Sequence, residues 1–140
     1  MGTRSVTTFT EKYDDKEYPL VAIYQQYDGY ISGIGHNIAR WLLGKRIING
    51  IGFEDKDGTT ANGAGCLAAQ FIKEHKLNVG GFYITEIGNT EDYNYKIIVD
   101  GTKIGNANDV IKIVVTNFDD TEPIFVGTPQ ELLDFKEGES

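Results

Sequence analysis

The chain has 140 residues, 40% of them hydrophobic and 24% charged, and its formal net charge at pH 7 is −8. This length and composition are ordinary for a globular protein, so we expect a single domain over residues 1–140. The negative charge argues against non-specific binding of DNA, and no stretch approaches the roughly 18 apolar residues of a membrane-spanning helix.

A β-hairpin and a helix are predicted first in chain order. Residues 3–9 alternate between two faces, and residues 19–27 are apolar and rich in β-strand formers, so the two segments should pair across the polar turn between them. Apolar side chains at helical spacing predict a helix at about residues 34–43. Ser32 is its candidate N-cap, and Gly44 stands where it should stop.

A second helix and a sheet are predicted in the rest of the chain. We expect a short strand at about residues 47–53, a loop, and then a helix at about 64–76 with Asn62 as candidate N-cap. Thr128, with proline and glutamate after it, forms a capping box that starts a short C-terminal helix. Four strands are predicted after Gly80, at 81–87, 93–101, 110–118 and 122–127.

The predicted fold class is therefore α+β. An N-terminal β-hairpin and two helices should pack with a mostly antiparallel C-terminal sheet and a short C-terminal helix. No internal repeat or linker divides the chain.

Residue types that carry catalysis or bind metals are sparse. His36 and His75 are far apart, and the single cysteine, Cys66, excludes an internal disulfide and fits a reducing cytoplasm. The EDKDG stretch at 54–58 resembles half of a calcium loop, but its register puts Phe53 at the first ligand position. We therefore expect no catalytic residue, no metal and no cofactor.

Glycine-rich segments precede both predicted helices, at Gly33-Ile34-Gly35 and at Asn62-Gly63-Ala64-Gly65. Glycine lets a ligand approach the backbone closely, and helix N-termini offer N–H groups to anions, so a phosphorylated ligand would suit them. The alternative is that both are tight turns. A dinucleotide-binding Rossmann domain is disfavoured, because Ile38 replaces the third glycine and no second βαβ half follows.

Aromatic residues gather at the predicted strand ends and loops. There they can stack on a nucleobase, or cover the sheet or a subunit interface. They are Tyr24, Tyr27, Tyr30, Phe82, Tyr83, Tyr93 and Tyr95. A bidentate grip on a phosphate would have to come from one of the arginines, which are Arg4, Arg40 and Arg46.

The MGTRSVTTF opening, the YQQYDGYISGIGH segment and the GFYITEI–YNYKIIVDG strand pair resemble the Thoeris anti-defence sponge family of bacteriophages. The resemblance runs over most of the chain. It implies a protein of the host bacterial cytoplasm that sequesters a cyclic ADP-ribose isomer, glycocyclic ADP-ribose, made by TIR-domain enzymes, without cleaving it. It also implies a homo-oligomer built from dimers, with pockets between subunits. Some members hold cyclic trinucleotides at separate sites.

Residue by residue, the resemblance implies base stacking on Phe82 and an amide hydrogen bond from Asn94 or Asn89, whereas Asp92 would repel a phosphate. Phosphate and ribose contacts are expected from the glycine segment and its flanks, with Arg4 as charge partner. The candidate ligand-binding residues are Arg4, Gln25, Tyr27, Ser32, Gly33, Gly35, His36, Phe82, Asn94 and Tyr95.

Two other functions stay open at this point. The chain could be an enzyme acting on a nucleotide, with His36 or a loop carboxylate as acid–base, although nothing pairs with His36 at a readable spacing. It could also be a phage accessory protein whose tyrosines form an interface with another protein. Recovery of an altered ligand would favour the enzyme, and ligand-independent protein binding would favour the interaction module.

Overall fold

The computed structural model describes residues 2–48, 59–118 and 122–136 and shows the predicted α+β fold. The strands are β1 Ser5–Tyr13, β2 Lys16–Gln25, β3 Arg46–Ile48, β4 Thr60–Asn62, β5 Phe82–Thr85, β6 Tyr93–Asp100, β7 Gly105–Asn106, β8 Ile111–Asn117 and β9 Phe125–Gly127. The helices are α1 His36–Leu43, α2 Gly63–His75, α3 Ala107–Val110 and α4 Pro129–Asp134, and a π-helical turn, Ile31–Gly35, leads into α1. None of the helices in these ranges is long and apolar enough to cross a membrane.

The N-terminal hairpin is confirmed, with longer strands than the sequence predicted. Its turn consists of Asp14 and Asp15 alone, whose φ angles are 50° and 64°. Positive φ at both central positions gives a turn whose twist matches that of the strands, and aspartate tolerates this conformation better than most residues. The polar residues on either side therefore continue the strands instead of forming a loop.

Six strands form the main sheet, in the order β5-β2-β1-β6-β8-β9. Strands β1 and β6 pair in parallel, from Ser5 with Tyr93 to Lys12 with Asp100, and the other four pairings are antiparallel. The prediction of a mostly antiparallel sheet is thus confirmed. A second sheet of three short strands has the order β4-β3-β7.

One face of the six-stranded sheet forms the hydrophobic core with α1, α2 and α4. Phe9 of β1 is fully buried, and its ring centroid lies 5.3 Å from that of Phe71 on α2. Burial of each such side chain contributes about 1.5–3 kcal/mol. Val6, Ala22 and Ile98 alternate to the other face and are buried, but they lie outside the core cluster. We call this second side the open face.

A β-bulge in β2 determines which side chains reach the open face. Phe9 pairs with Val21 and Thr10 pairs with Pro19, so Leu20 is an extra residue without a partner on β1. Because side chains alternate along a strand, the extra residue reverses the alternation of the first half of β2. Pro19 and Glu17 therefore face the same side as Thr10. Proline is tolerated at a bulge because its missing N–H breaks no ladder bond there.

The helix ends follow the predictions in part. The capping box is confirmed, since Thr128 Oγ1 accepts a hydrogen bond from the N–H of Glu131 and the Glu131 side chain accepts one from the N–H of Thr128. The prediction of Ser32 as N-cap was wrong, because the helical turn begins at Ile31 and Tyr30 occupies the cap position. Most of the predicted strand at 47–53, and the EDKDG stretch, lie outside the described residues.

Candidate functional site

The glycine segment before α1 forms a tight turn whose N–H groups bond within the chain. Ile34 N donates to the carbonyl oxygen of Asp28 at 2.8 Å, and Gly33 N and Gly35 N donate to that of Tyr30 at 3.0 and 3.4 Å. A Cβ at Gly33 would lie 2.4 Å from the Asp28 oxygen, so only glycine fits. In this conformation the three N–H groups are not available to an anion.

His36 and Tyr95, both expected to contact a ligand, hold elements of the fold together. His36 Nε2 lies 2.9 Å from the carbonyl oxygen of Phe135, and donation across this distance ties α1 to the chain after α4. The hydroxyl of Tyr95 donates to the carbonyl oxygen of Gly29 at 2.6 Å in a fully buried position. Gly35 packs directly on that phenol ring, where a Cβ would lie 3.1 Å from the hydroxyl oxygen.

Phe82, Gln25 and Ser32 do not meet at one site. Phe82 is 8% exposed, and its ring centroid lies 6.0 Å from that of Phe71, so the ring faces the core. Gln25 pairs with Phe82 across the strands, and its Oε1 is buried without a hydrogen-bond partner among the described residues. Ser32 is exposed on the π-helical turn.

Asn94 closes the loop that precedes β6. Its Oδ1 accepts a hydrogen bond from Glu91 N at 2.9 Å, and its Nδ2 donates to Glu91 O at 3.1 Å. Asn89, the alternative amide, donates to Thr85 Oγ1 at 3.2 Å. Both amides therefore order the loop between β5 and β6, which borders the open face.

Arg4 and Tyr27 do come together. They line a cleft of about 830 Å³ at the end of the open face, where β1 begins and β2 ends, and we call it the Arg4 cleft. Its other lining residues are Gly2, Tyr24, Gln26 and Asp92. Tyr27 is 58% exposed, and its ring packs on Gly2, where a Cβ would lie only 2.5 Å from the ring. The cleft thus offers two phenol rings, a guanidinium, an amide and a carboxylate.

Carboxylates fix the guanidinium in this cleft. Arg4 Nε lies 3.4 Å from Glu91 Oε1 and 3.8 Å from Asp92 Oδ2, and Arg4 N donates to the same Asp92 oxygen at 3.1 Å. The pairs orient the guanidinium, but two negative charges surround one positive charge. A phosphate must therefore compete for Arg4, whereas a ribose hydroxyl or an exocyclic amine can donate to the carboxylates.

Tyr30 borders the same loop and hydrogen-bonds to Asp28. Its hydroxyl donates to Asp28 Oδ1 at 3.2 Å. The negative charge of Asp28 and this hydrogen bond raise the pKa of Tyr30 above its ordinary value. The hydrogen bond ties the Tyr30 side chain to the loop that carries Asp28.

A further cavity, which the sequence analysis did not predict, lies beside the Arg4 cleft in the middle of the open face. It measures about 530 Å³, and we call it the threonine cavity. Its lining combines Asn94 and Tyr95, predicted as ligand-binding residues, with the threonines Thr8, Thr10, Thr90 and Thr116. A signal was present in the TRSVTTFT stretch, where Thr8 and Thr10 are two residues apart and so share a face.

Neither a metal-binding group of side chains nor a related protein identifies a ligand. Across the described residues, no group of three or more His, Cys, Asp or Glu side chains is arranged to hold a metal ion. Comparison with known proteins gives no relative from which a ligand could be transferred: no family model matches the chain, no curated protein matches it, and no solved structure matches its fold.

Proposed function

We propose that this chain is a phage anti-defence protein that binds a cyclic ADP-ribose isomer, glycocyclic ADP-ribose, in the host cytoplasm. By withholding the signal of TIR-domain enzymes from its receptor, it would block Thoeris immunity without cleaving the signal. The observation that carries the proposal is the Arg4 cleft, in which Arg4, Tyr24, Tyr27 and Asp92 surround one cavity. The sequence resemblance supplies the identity of the ligand.

The cleft offers a partner for each part of such a ligand. Adenine stacks on Tyr24 or Tyr27, a contact that contributes about 1–3 kcal/mol per base. Ribose hydroxyls donate to Asp92, and Arg4 donates to the diphosphate. The volume of about 830 Å³ lies within the range of about 300–1,000 Å³ that small-molecule sites occupy. Sequestration needs affinity alone, so it requires no catalytic group.

Assembly into dimers would complete this cleft. Strand β5 is an edge of the sheet, and its Ile84 is 68% exposed. An exposed apolar edge strand is a template for pairing with a second strand. The edge also borders the cleft, because the rings of Tyr24 and Tyr83 lie 6.1 Å apart and Gln26 N donates to Gly81 O at 3.0 Å. A second copy paired at β5 would therefore supply a further wall, and with it the homo-oligomer that the resemblance implies.

Capture and release tests the proposal. The purified protein is incubated with cyclic ADP-ribose isomers, freed of unbound ligand and heated, and the released molecule is identified by mass spectrometry. We expect intact glycocyclic ADP-ribose, near one per protomer. Tyr27→Ala and Arg4→Gln should abolish capture, whereas Tyr18→Ala, at a 48% exposed tyrosine of β2 that does not line the cleft, should not.

Other outcomes would overturn the proposal. A cleaved product would make the protein an enzyme, and the absence of any retained isomer would favour the protein-interaction alternative. Cyclic trinucleotides, as a second ligand class, are tested in the same way.

Assembly is tested separately. Analytical ultracentrifugation of the wild-type protein should show a dimer or a multiple of a dimer. The Ile84→Lys variant should sediment as a monomer. Ile104→Lys is the matched control, because Ile104 is 61% exposed and lies in a loop away from β5. A monomeric wild-type protein would contradict pairing at the β5 edge.

A further inference from the structure

Glu91 pairs with Arg4 from outside the cleft that Arg4 lines. Glu91 Oε1 lies 3.4 Å from Arg4 Nε, but Glu91 is not among the residues that line the Arg4 cleft. Its side chain is 19% exposed, against 44% for Asp92, which does line the cleft. Glu91 can therefore act on a bound ligand only through its negative charge and through Arg4.

Neighbouring amides hold Glu91 in place. The side chain of Asn94 accepts a hydrogen bond from Glu91 N at 2.9 Å and donates one to Glu91 O at 3.1 Å. Glu91 Oε2 accepts a longer hydrogen bond from Asn89 Nδ2 at 3.5 Å. Because the backbone and the carboxylate are both held, a ligand that approaches Arg4 meets a fixed negative charge behind it.

The carboxylates reduce the attraction of the Arg4 cleft for anions. Arg4 carries a single positive charge, and its Nε lies 3.4 Å from a Glu91 oxygen and 3.8 Å from an Asp92 oxygen. An anion that binds the guanidinium is attracted by one charge and repelled by both carboxylates. The repulsion increases in proportion to the charge of the ligand, so a more highly charged anion is repelled more strongly.

We propose that Glu91 is a specificity-determining residue of the Arg4 cleft, which excludes ligands that end in a phosphate monoester. A phosphate within a diester linkage carries less negative charge than a terminal phosphate, which carries about 1.5–2 charges at pH 7. The diphosphate of a cyclic ADP-ribose isomer has no terminal phosphate, so such a ligand is admitted, whereas ADP is rejected. This inference rests on the proposed function, because it concerns the same cleft, and it names the class of competitor that the cleft rejects.

Isothermal titration calorimetry with ADP and ADP-ribose tests the proposal. Both probes contain adenosine and a diphosphate, but only ADP ends in a terminal phosphate, so the wild type should bind ADP-ribose more tightly. Glu91→Gln removes the charge and keeps an oxygen that can accept a hydrogen bond from Arg4 Nε. It should tighten ADP binding by about three- to tenfold, from Coulomb's law for charges about 7 Å apart at an effective dielectric constant of about 40–80. ADP-ribose binding should tighten less, a difference that a general disturbance of the loop would not produce.

Two further variants locate the effect. Glu86→Gln is the matched control, because Glu86 is exposed in the same loop between β5 and β6, does not line the cleft and carries the same charge. This variant should bind both probes like the wild type. The double variant Arg4→Gln, Glu91→Gln should lose the gain in ADP binding, because the gain acts through Arg4.

The proposal is overturned if Glu91→Gln does not bind ADP more tightly than the wild type, if it tightens both probes equally, or if the gain persists without Arg4. Capture of glycocyclic ADP-ribose by the wild type is a separate measurement. Failure of capture together with the gain in ADP binding would overturn the proposed function alone. Capture without that gain would overturn the role of Glu91 alone.

Discussion

Substitution of Tyr95 by phenylalanine tests how the loop that carries Tyr27 is held. The hydroxyl of Tyr95 is fully buried and donates to the carbonyl oxygen of Gly29 at 2.6 Å. Gly29 itself is buried against β1, because a Cβ there would lie 2.9 Å from the carbonyl carbon and oxygen of Arg4. Tyr95→Phe removes only the oxygen atom and leaves the ring in place.

The expected loss follows from the burial of both partners. A hydrogen bond contributes about 0.5–1.5 kcal/mol net, but a buried acceptor left unpaired costs about 1–3 kcal/mol. We therefore expect the free energy of unfolding to fall by about 1–3 kcal/mol. For a domain of this size, that corresponds to a decrease in Tm of roughly 3–10 °C. Gly29 follows Tyr27 closely, so the proposed capture of a cyclic signal should weaken as well.

Urea unfolding followed by circular dichroism measures the effect. Tyr18→Phe is the control, because Tyr18 is 48% exposed, and its variant should unfold like the wild type. A Tyr95→Phe variant within about 0.5 kcal/mol of the wild type, the usual scatter of neutral surface substitutions, would refute the reasoning. It would mean that water or a small shift of the loop satisfies the Gly29 carbonyl.

Three further predictions concern stability. Thr128→Ala removes the capping box and should lower the free energy of unfolding by about 1 kcal/mol in urea, whereas Thr128→Ser should restore most of it. Hydrogen bonds from the side chain and N–H of Thr102 lower the pKa of Asp100. The wild type should therefore have a higher free energy of unfolding than Asp100→Asn. This difference should be constant at neutral pH, shrink as the pH falls below about 3.9, and disappear below the lowered pKa. A difference that persists there in acid urea titrations would contradict this cause. Glu74 Oε2 lies 3.5 Å from the buried Lys45 Nζ. Because Glu74 is half exposed, Glu74→Gln should lower the free energy of unfolding by only about 1 kcal/mol. An unchanged urea midpoint would exclude a stabilising pair.

Local signals in the sequence predicted the local structure. The capping box at Thr128 needs only three neighbouring residue types, and it forms as predicted. Alternation and turn chemistry likewise placed the hairpin and the strands β5 to β9 within a few residues, apart from the short β7. These features depend on interactions between residues that are close in the chain, which is why residue patterns carry them.

The open face could not be predicted in the same way. The threonine cavity lies on β1, β6 and β8, and nothing in the sequence states that β1 pairs with β6. The bulge at Leu20 is equally hidden, because one extra residue leaves no distinct composition. A shift of one residue nonetheless decides whether Glu17 faces the open face or the core.

For some residues the sequence did not determine what the side chain or the N–H group contacts, because this depends on the neighbouring elements. Alternation predicts that only one of Phe82 and Tyr83 points to the core, and α2 decides the choice, because Phe71 meets Phe82 while Tyr83 stays 49% exposed. The glycine segment was ambiguous for another reason. An anion cradle and a tight turn use the same N–H groups, and only the positions of the Asp28 and Tyr30 carbonyls separate the two.

The parallel pairing of β1 with β6 has a consequence for synthesis on the ribosome. The hairpin of β1 and β2 can close within microseconds of emerging, but the second edge of β1 waits for a strand that begins at Tyr93. Roughly 70 residues lie between, and at roughly 5–20 residues per second their translation takes several seconds. During that interval the unpaired backbone edge of β1 is exposed to neighbouring nascent chains. Slow codons between β2 and β6 should therefore lower the yield of folded protein, while the stability of the finished chain stays unchanged.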